Sequence, residues 1–114
     1  MNLNTETVDG VTVALPAGRL DFGAAAAFQQ QLEQAVAAKP RGLVVDCSSL
    51  DYVSSAGLRV FLVAARAAKV AGVGFAVSDL KPAVKEVFDL TGFGNVITLC
   101  VDRTAAIASA ARAA

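Results

Sequence analysis

The sequence predicts a single α/β domain over residues 1–114, with about four α-helices packed against a mixed β-sheet that is parallel in its centre. A hairpin signal, Asp9-Gly10, separates two short strand-like segments near the start of the chain. Helix-like and strand-like segments then alternate, which is typical of parallel strands joined by helices. The segment Gly42-Leu43-Val44-Val45-Asp46 is apolar without alternation, as expected for a central strand buried on both faces.

The predicted elements follow the order β-β-α-β-α-β-α-β-α. An apolar stripe at helical spacing, from Phe28 to Val36, indicates the first helix. Gly72 and Gly92 follow the next two helices, and Asp102 is placed to cap the last. The predicted strands are 2–8, 11–15, 42–46, 74–78 and 96–101, and the predicted helices are 24–38, 57–71, 81–91 and 103–112.

The composition restricts the class of protein. Hydrophobic residues make up 55% of the 114 residues, enough to bury a core. Ten basic and ten acidic residues leave no net charge, so no attraction for nucleic acid is expected.

No apolar run approaches the roughly 20 residues that span a bilayer, which argues against direct membrane insertion. Residues 1–6 lack the features of a secretion signal, so a cytoplasmic protein is expected. Cys47 and Cys100 each end an apolar run and are expected to be reduced, buried and structural.

The residue types needed for common catalytic sites are missing. The chain contains no histidine, which excludes a Ser-His-Asp triad. Its cysteines do not have the spacing typical of a metal site. Gly72-Val73-Gly74 is not followed by the remaining residues of a glycine-rich dinucleotide-binding motif. Asp46 and Asp51 are interpreted as a strand-end residue and a loop residue, although a carboxylate pair is the alternative. The sequence therefore predicts a protein that is not an enzyme and has no cofactor or metal.

The most informative segment, Leu50–Leu62, contains two serines where an apolar strand gives way to an apolar helix. Free backbone N–H groups and the helix dipole favour a negative charge at a helix N-terminus. The start of this helix is thus a good place for an anion to bind or to be added. The alternative is that the two serines only cap the helix.

Three local matches make the chain resemble the STAS domains, the sulfate transporter and anti-sigma factor antagonist family. These matches are Gly18-Arg19-Leu20-Asp21, Leu43-Val44-Val45-Asp46-Cys47-Ser48-Ser49-Leu50 and Ser54-Ser55-Ala56-Gly57-Leu58. They occur in the family's order, and the resemblance covers essentially the whole chain. It implies the STAS fold and a serine whose phosphorylation acts as a switch.

The family's loop most often has the sequence Asp-Ser-Ser/Thr-Gly. When the two sequences are aligned on Gly57, Ser55 takes the position of the family's phosphorylated serine. Ser54 then takes the position of the motif's aspartate, and Ala56 that of its second hydroxyl residue. This departure removes a negative charge next to the acceptor and makes Ser54 a rival acceptor.

A partner-binding surface is also expected around this loop. Arg59, Val63 and Arg66 share one face of the predicted helix, which suits either protein binding or a solvated face with one apolar residue. The resemblance adds Asp21, whose alternative role is that of an acid at a helix start. The predicted partner-binding residues are Asp21, Ser54, Ser55, Ala56, Gly57, Arg59, Val63 and Arg66.

The resemblance implies an anti-sigma factor antagonist in a bacterial partner-switching pathway. Its expected partners are an anti-sigma factor with a histidine-kinase-like ATPase fold, which acts as a serine kinase, and a PP2C-type phosphatase. The unphosphorylated form would bind the kinase, and phosphorylation would release it. The alternative is a STAS accessory subunit that docks on a membrane transporter component without phosphorylation.

Overall fold

The computed structural model describes residues 3–113. Its strands are Asn4–Val8 (β1), Val11–Leu15 (β2), Gly18–Leu20 (β3), Gly42–Asp46 (β4), Leu50–Val53 (β5), Gly74–Ser78 (β6) and Thr98–Cys100 (β7). Its α-helices are Phe22–Ala37 (α1), Ser55–Ala71 (α2), Pro82–Leu90 (α3) and Arg103–Ala113 (α4), and a 3-10 turn spans Phe93–Asn95. Residue 2 of the predicted first strand lies outside the described residues. Within residues 3–113, no helix combines the length and apolar character needed to cross a bilayer.

The main sheet has the strand order β1-β2-β4-β6-β7. β1 is antiparallel to β2, and the other neighbouring strands are parallel. Asp9 and Gly10 both have positive φ angles, 52° and 80°, as a tight hairpin turn requires. The predicted mixed sheet with a parallel centre is therefore confirmed.

Each face of the sheet packs against helices because successive strand residues point to opposite faces. Leu43, Val45 and Val77 pack in the larger core with residues of α1, α2 and α3. Val44 belongs to a smaller core on the other face, together with Ala106 of α4. The central strand β4 is buried along its whole length, as its unbroken apolar sequence predicted.

Two short strands are absent from the predicted element order, and only β5 has a signal in the sequence, the apolar segment directly before the serines. β3 and β5 pair with each other in a separate parallel sheet, so each takes its hydrogen bonds from a segment about 30 residues away in the chain. No local pattern can reveal such a pairing in segments of three and four residues.

Further details differ from the prediction, among them the start of α1, which begins at Phe22 rather than at residue 24. α2 begins at Ser55 rather than at residue 57, because residues 55 and 56 already belong to its first turn. The last strand shortens from 96–101 to Thr98–Cys100, because the 3-10 turn precedes it. Cys47 is buried as predicted, but Cys100, in that terminal strand of the sheet, is only half-buried.

Candidate functional site

The small β3–β5 sheet brings two helix N-termini together. Leu20, the last residue of β3, pairs with Val53, the last residue of β5. The next residue in each segment is an N-cap, Asp21 for α1 and Ser54 for α2. Because the two strands are parallel, α1 and α2 begin side by side. The structure thus places Asp21 next to the serine loop, 33 residues later in the chain.

Ser54 is held by two hydrogen bonds at the start of α2. Its Oγ accepts a hydrogen bond from the backbone N–H of Gly57 at 3.1 Å, and its own N–H donates to the carbonyl of Leu20 at 2.9 Å. Gly57 is buried against Leu20, and a Cβ at this position would lie 2.7 Å from both the Cγ and the carbonyl oxygen of Leu20. The glycine therefore allows α2 to approach β3 closely.

Ser55 is exposed at the first position of α2. It lies on a groove between the N-terminal halves of α1 and α2, whose lining includes Phe22, Ala25 and Gln29 from α1 and Ala56 and Arg59 from α2. The hydroxyl is accessible, and the adjoining surface is largely apolar. The sequence-based placement of Ser55 at an exposed helix start is confirmed.

The charge at this groove comes from one side chain. Arg59 is the only charged residue among the described residues that line it. Asp21 lies just outside, where its Oδ1 accepts a hydrogen bond from the N–H of Ala24 at 3.0 Å and caps α1. The helix-start role proposed for Asp21 is thus observed, and the carboxylate remains exposed.

The remaining predicted partner-binding residues lie farther along α2. Val63 is half-buried and Arg66 is exposed, but neither lines the groove. Arg66 lies two helical turns from Arg59, a distance of about 10 Å along the axis. The structure thus groups Asp21, Ser54, Ser55, Ala56, Gly57 and Arg59, and leaves Val63 and Arg66 at a distance.

Two features of the site were missed in the sequence. Phe22, the first residue of α1, is 83% exposed beside the groove, although phenylalanine is usually buried. The Arg19 guanidinium lies 4.1 Å from the centre of the Tyr52 ring, a cation–π contact between β3 and β5. No local pattern distinguishes an exposed Phe22 from a core one, and the Arg19–Tyr52 contact depends on the unpredicted strand pairing.

Asp46 and Asp51 do not form a carboxylate pair. Asp46 is 4% exposed and accepts hydrogen bonds from the N–H of Ser48 and from Nε of Arg103, both at 2.9 Å. Burial acts to raise the pKa of Asp46, but the Ser48 hydrogen bonds and the Arg103 guanidinium outweigh it and hold the pKa below its usual value. Asp51 lies in β5 rather than in a loop, and it forms an ion pair with Lys81.

The thiol of Cys47 adjoins this network. Burial raises its pKa far above the ordinary value, and the charges of Asp46 and Asp79 add to the effect. A thiol in this state is a poor nucleophile. No group of three potential ligands among the described residues could hold a metal ion.

Comparison with known proteins identifies the family. The family model for the STAS domain matches residues 2–106. The chain therefore belongs to the STAS family, as the loop and strand motifs indicated.

Individual relatives agree with this assignment. A Bordetella bronchiseptica protein, BtrV, whose name describes it as a candidate anti-sigma factor antagonist, is 34% identical over 96% of this chain and 94% of its own length. The crystal structure of an anti-sigma factor antagonist from Mycobacterium paratuberculosis has a TM-score of 0.88 and 28% identity, over 96% of this chain and 92% of that one. The Bacillus cell fate determinant SpoIIAA in its phosphorylated form shares the fold, with a TM-score of 0.70 and 18% identity over 91% of this chain and 96% of that one.

Proposed function

We propose that this STAS domain is an anti-sigma factor antagonist that switches partners through phosphorylation of Ser55. In the cytoplasm, its unphosphorylated form binds an anti-sigma factor with a histidine-kinase-like ATPase fold. That partner phosphorylates Ser55 and is then released, and a PP2C-type phosphatase resets the cycle. The domain is the substrate of these enzymes and catalyses no step.

The observation that carries the proposal is the different state of the two serine hydroxyls. Ser54 Oγ is already engaged as the N-cap of α2. Ser55 stands free at the first helical position, exposed on the groove. A kinase can reach the hydroxyl of Ser55 without opening the cap, which favours Ser55 over Ser54 as the acceptor.

The docking surface proposed for the kinase is the groove with its immediate surroundings. Phe22 offers an exposed aromatic anchor, and Arg59 and Asp21 offer charges of opposite sign. A phosphate on Ser55 adds about 1.5 to 2 negative charges and three acceptor oxygens to this surface. A partner packed over the groove would have to desolvate that charge, at a cost of several kcal/mol in binding free energy.

The acceptor is tested by incubating the chain with its cognate kinase and ATP, followed by mass spectrometry. Phosphate is expected on Ser55, and Ser55→Ala is expected to abolish incorporation while Ser54→Ala retains it. Phosphate found on Ser54, or incorporated into the Ser55→Ala chain, would contradict the assignment.

Binding is tested by calorimetry of the wild type, Ser55→Ala and Ser55→Asp against the same kinase, with thermal melts of each chain. Ser55→Ala is expected to bind like the unmodified chain, and Ser55→Asp more weakly, since it introduces a charge under the partner. Phe22→Ala, Asp21→Ala and Arg59→Ala are expected to weaken binding without lowering the melting temperature by more than a few degrees. If all of these variants bound the kinase with equal affinity and none incorporated phosphate, the alternative function would be favoured, in which the domain docks on a membrane transporter component.

A further inference from the structure

We propose that phosphoserine at position 55 captures Arg59 in an ion pair within α2 and thereby withdraws this arginine from the docking surface. The inference rests on the proposed function, because it takes Ser55 as the phosphoacceptor. Phosphorylation would then act on the partner in two ways, by adding a negative charge and by removing a positive one.

The spacing of the two residues favours the pair. Ser55 and Arg59 are four residues apart on α2, and both line the same groove. Side chains at this spacing are neighbours on a helix surface, and an ion pair is stronger when the acidic group precedes the basic one. A phosphate on Ser55 has this orientation relative to Arg59.

Arg59 has no competing partner among the described residues. No ion pair of the structure includes it, whereas Arg103, Lys81 and Lys85 each contact a carboxylate. The seventeen residues of α2 contain no aspartate or glutamate. A phosphate on Ser55 would therefore be the first negative charge on this helix and the nearest one on the groove to Arg59.

The charge balance of the groove changes sign as a result. In the unmodified chain, Arg59 gives the groove one positive charge and can pair with an acidic group of the partner. After modification, the phosphate's charge of about −1.5 to −2 exceeds that of the arginine, so the groove becomes net negative. An acidic contact on the partner would lose its counter-charge and also meet repulsion.

The experiment uses full-length chains in which phosphoserine is incorporated at position 55 during translation, so that no kinase is needed. The unmodified and phosphoserine forms are compared in three backgrounds: wild type, Arg59→Gln and Arg66→Gln. Arg66 is the matched control, because it is exposed on the same helix and forms no ion pair with any described residue. Melting temperatures are measured at low salt and in 1 M NaCl, and the side-chain Nε–H signals of the arginines are followed by NMR.

Phosphoserine is expected to raise the melting temperature by about 2 °C more in the wild type than in Arg59→Gln, which corresponds to one i,i+4 ion pair. The Arg66→Gln background should keep this difference, and 1 M NaCl should remove it. The Arg59 Nε–H signal should shift on modification while that of Arg66 stays in place.

The inference would be overturned if phosphoserine raised the melting temperature equally in the Arg59→Gln and wild-type backgrounds. It would also be overturned if the Nε–H signal of Arg59 did not shift on modification. A failed partner switch gives a different result. If the phosphoserine and unmodified chains bound the kinase equally in calorimetry, the proposed function would fail even though the Arg59 signal had shifted.

Discussion

At the residue scale, two adjacent serines have different roles because they occupy different helical positions. Ser54 has extended backbone angles, φ −82° and ψ 171°, and its side chain closes the first turn of α2. Ser55 is already helical, and its hydroxyl points to the groove surface. The family's usual aspartate at the Ser54 position would cap the helix as well, so the neutral serine preserves the structure while it removes a charge beside the acceptor.

The two roles predict different effects on stability. Ser54→Ala should lower the free energy of unfolding by about 1 kcal/mol, because it leaves the N–H of Gly57 without its acceptor. Ser54→Asp should retain the cap. The free energy of unfolding of Ser55→Ala should stay within about 0.5 kcal/mol of the wild-type value. Urea unfolding of the three variants measures these differences, and equal losses for Ser54→Ala and Ser55→Ala would show that the cap is assigned to the wrong serine.

At the scale of elements, the short β3–β5 sheet decides where the site forms. It aligns the starts of α1 and α2, and the close contact of Gly57 with Leu20 joins α2 to β3. The two helices then pack along each other, with the edge-to-face rings of Phe28 and Phe61 5.5 Å apart in the core between them. The groove follows from this pairing of helices rather than from any single loop.

The close approach at Gly57 predicts an unusual response to alanine. Alanine normally favours a helix over glycine by about 1 kcal/mol. At position 57, however, the new Cβ would overlap Leu20, so Gly57→Ala should cost about 1–3 kcal/mol of unfolding free energy. Gly23→Ala on α1 is the control, since its Cβ would meet only Asp21 Oδ1 at 3.6 Å and should be neutral or stabilising. Similar stabilities for the two variants would contradict the packing described.

At the scale of the whole molecule, a charge network joins distant parts of the chain on the side of the sheet covered by α4. Arg103, the first residue of α4, contacts Asp46 of β4 at 2.9 Å and Glu6 of β1 at 2.6 Å. Ala106 and Ala110 continue the contact of α4 with the sheet. A Cβ on Gly74 would come within 1.9 Å of the carbonyl oxygen of Ala110, which shows how closely the helix and strand backbones approach.

This network predicts a pH dependence of stability. The folded-state pKa of Asp46 is lowered, so its carboxylate stabilises the fold above its ordinary pKa of about 4, and this contribution is lost as the pH falls through the lowered value. The free energy of unfolding of Asp46→Asn should therefore be about 1–3 kcal/mol lower than that of the wild type at pH 7. This difference between the two chains should become smaller at acid pH. Urea unfolding at pH 7 and pH 3 tests this.

Glu6→Gln serves as the control for Asp46→Asn. The Glu6 side chain is 52% exposed, so the loss at pH 7 should remain below about 1 kcal/mol. If the stability difference between Asp46→Asn and the wild type were the same at both pH values, the partly buried ion pair of Asp46 with Arg103 would not be its source.

The sequence by itself determined the α/β class, the main strands and helices, and the position of the serine loop at a helix start. These features depend on local patterns, namely apolar periodicity, turn residues and cap residues, which a chain displays without its partners. Only the tertiary structure decided that β3 pairs with β5, that Ser54 rather than Ser55 caps α2, and that Phe22 and Arg59 share a groove. The strand pairing and the groove join segments more than 30 residues apart, and no local pattern encodes which distant segment will satisfy a short strand's hydrogen bonds or lie beside an aromatic ring. The cap is a local contact, but either of two adjacent serines had a side chain able to form it.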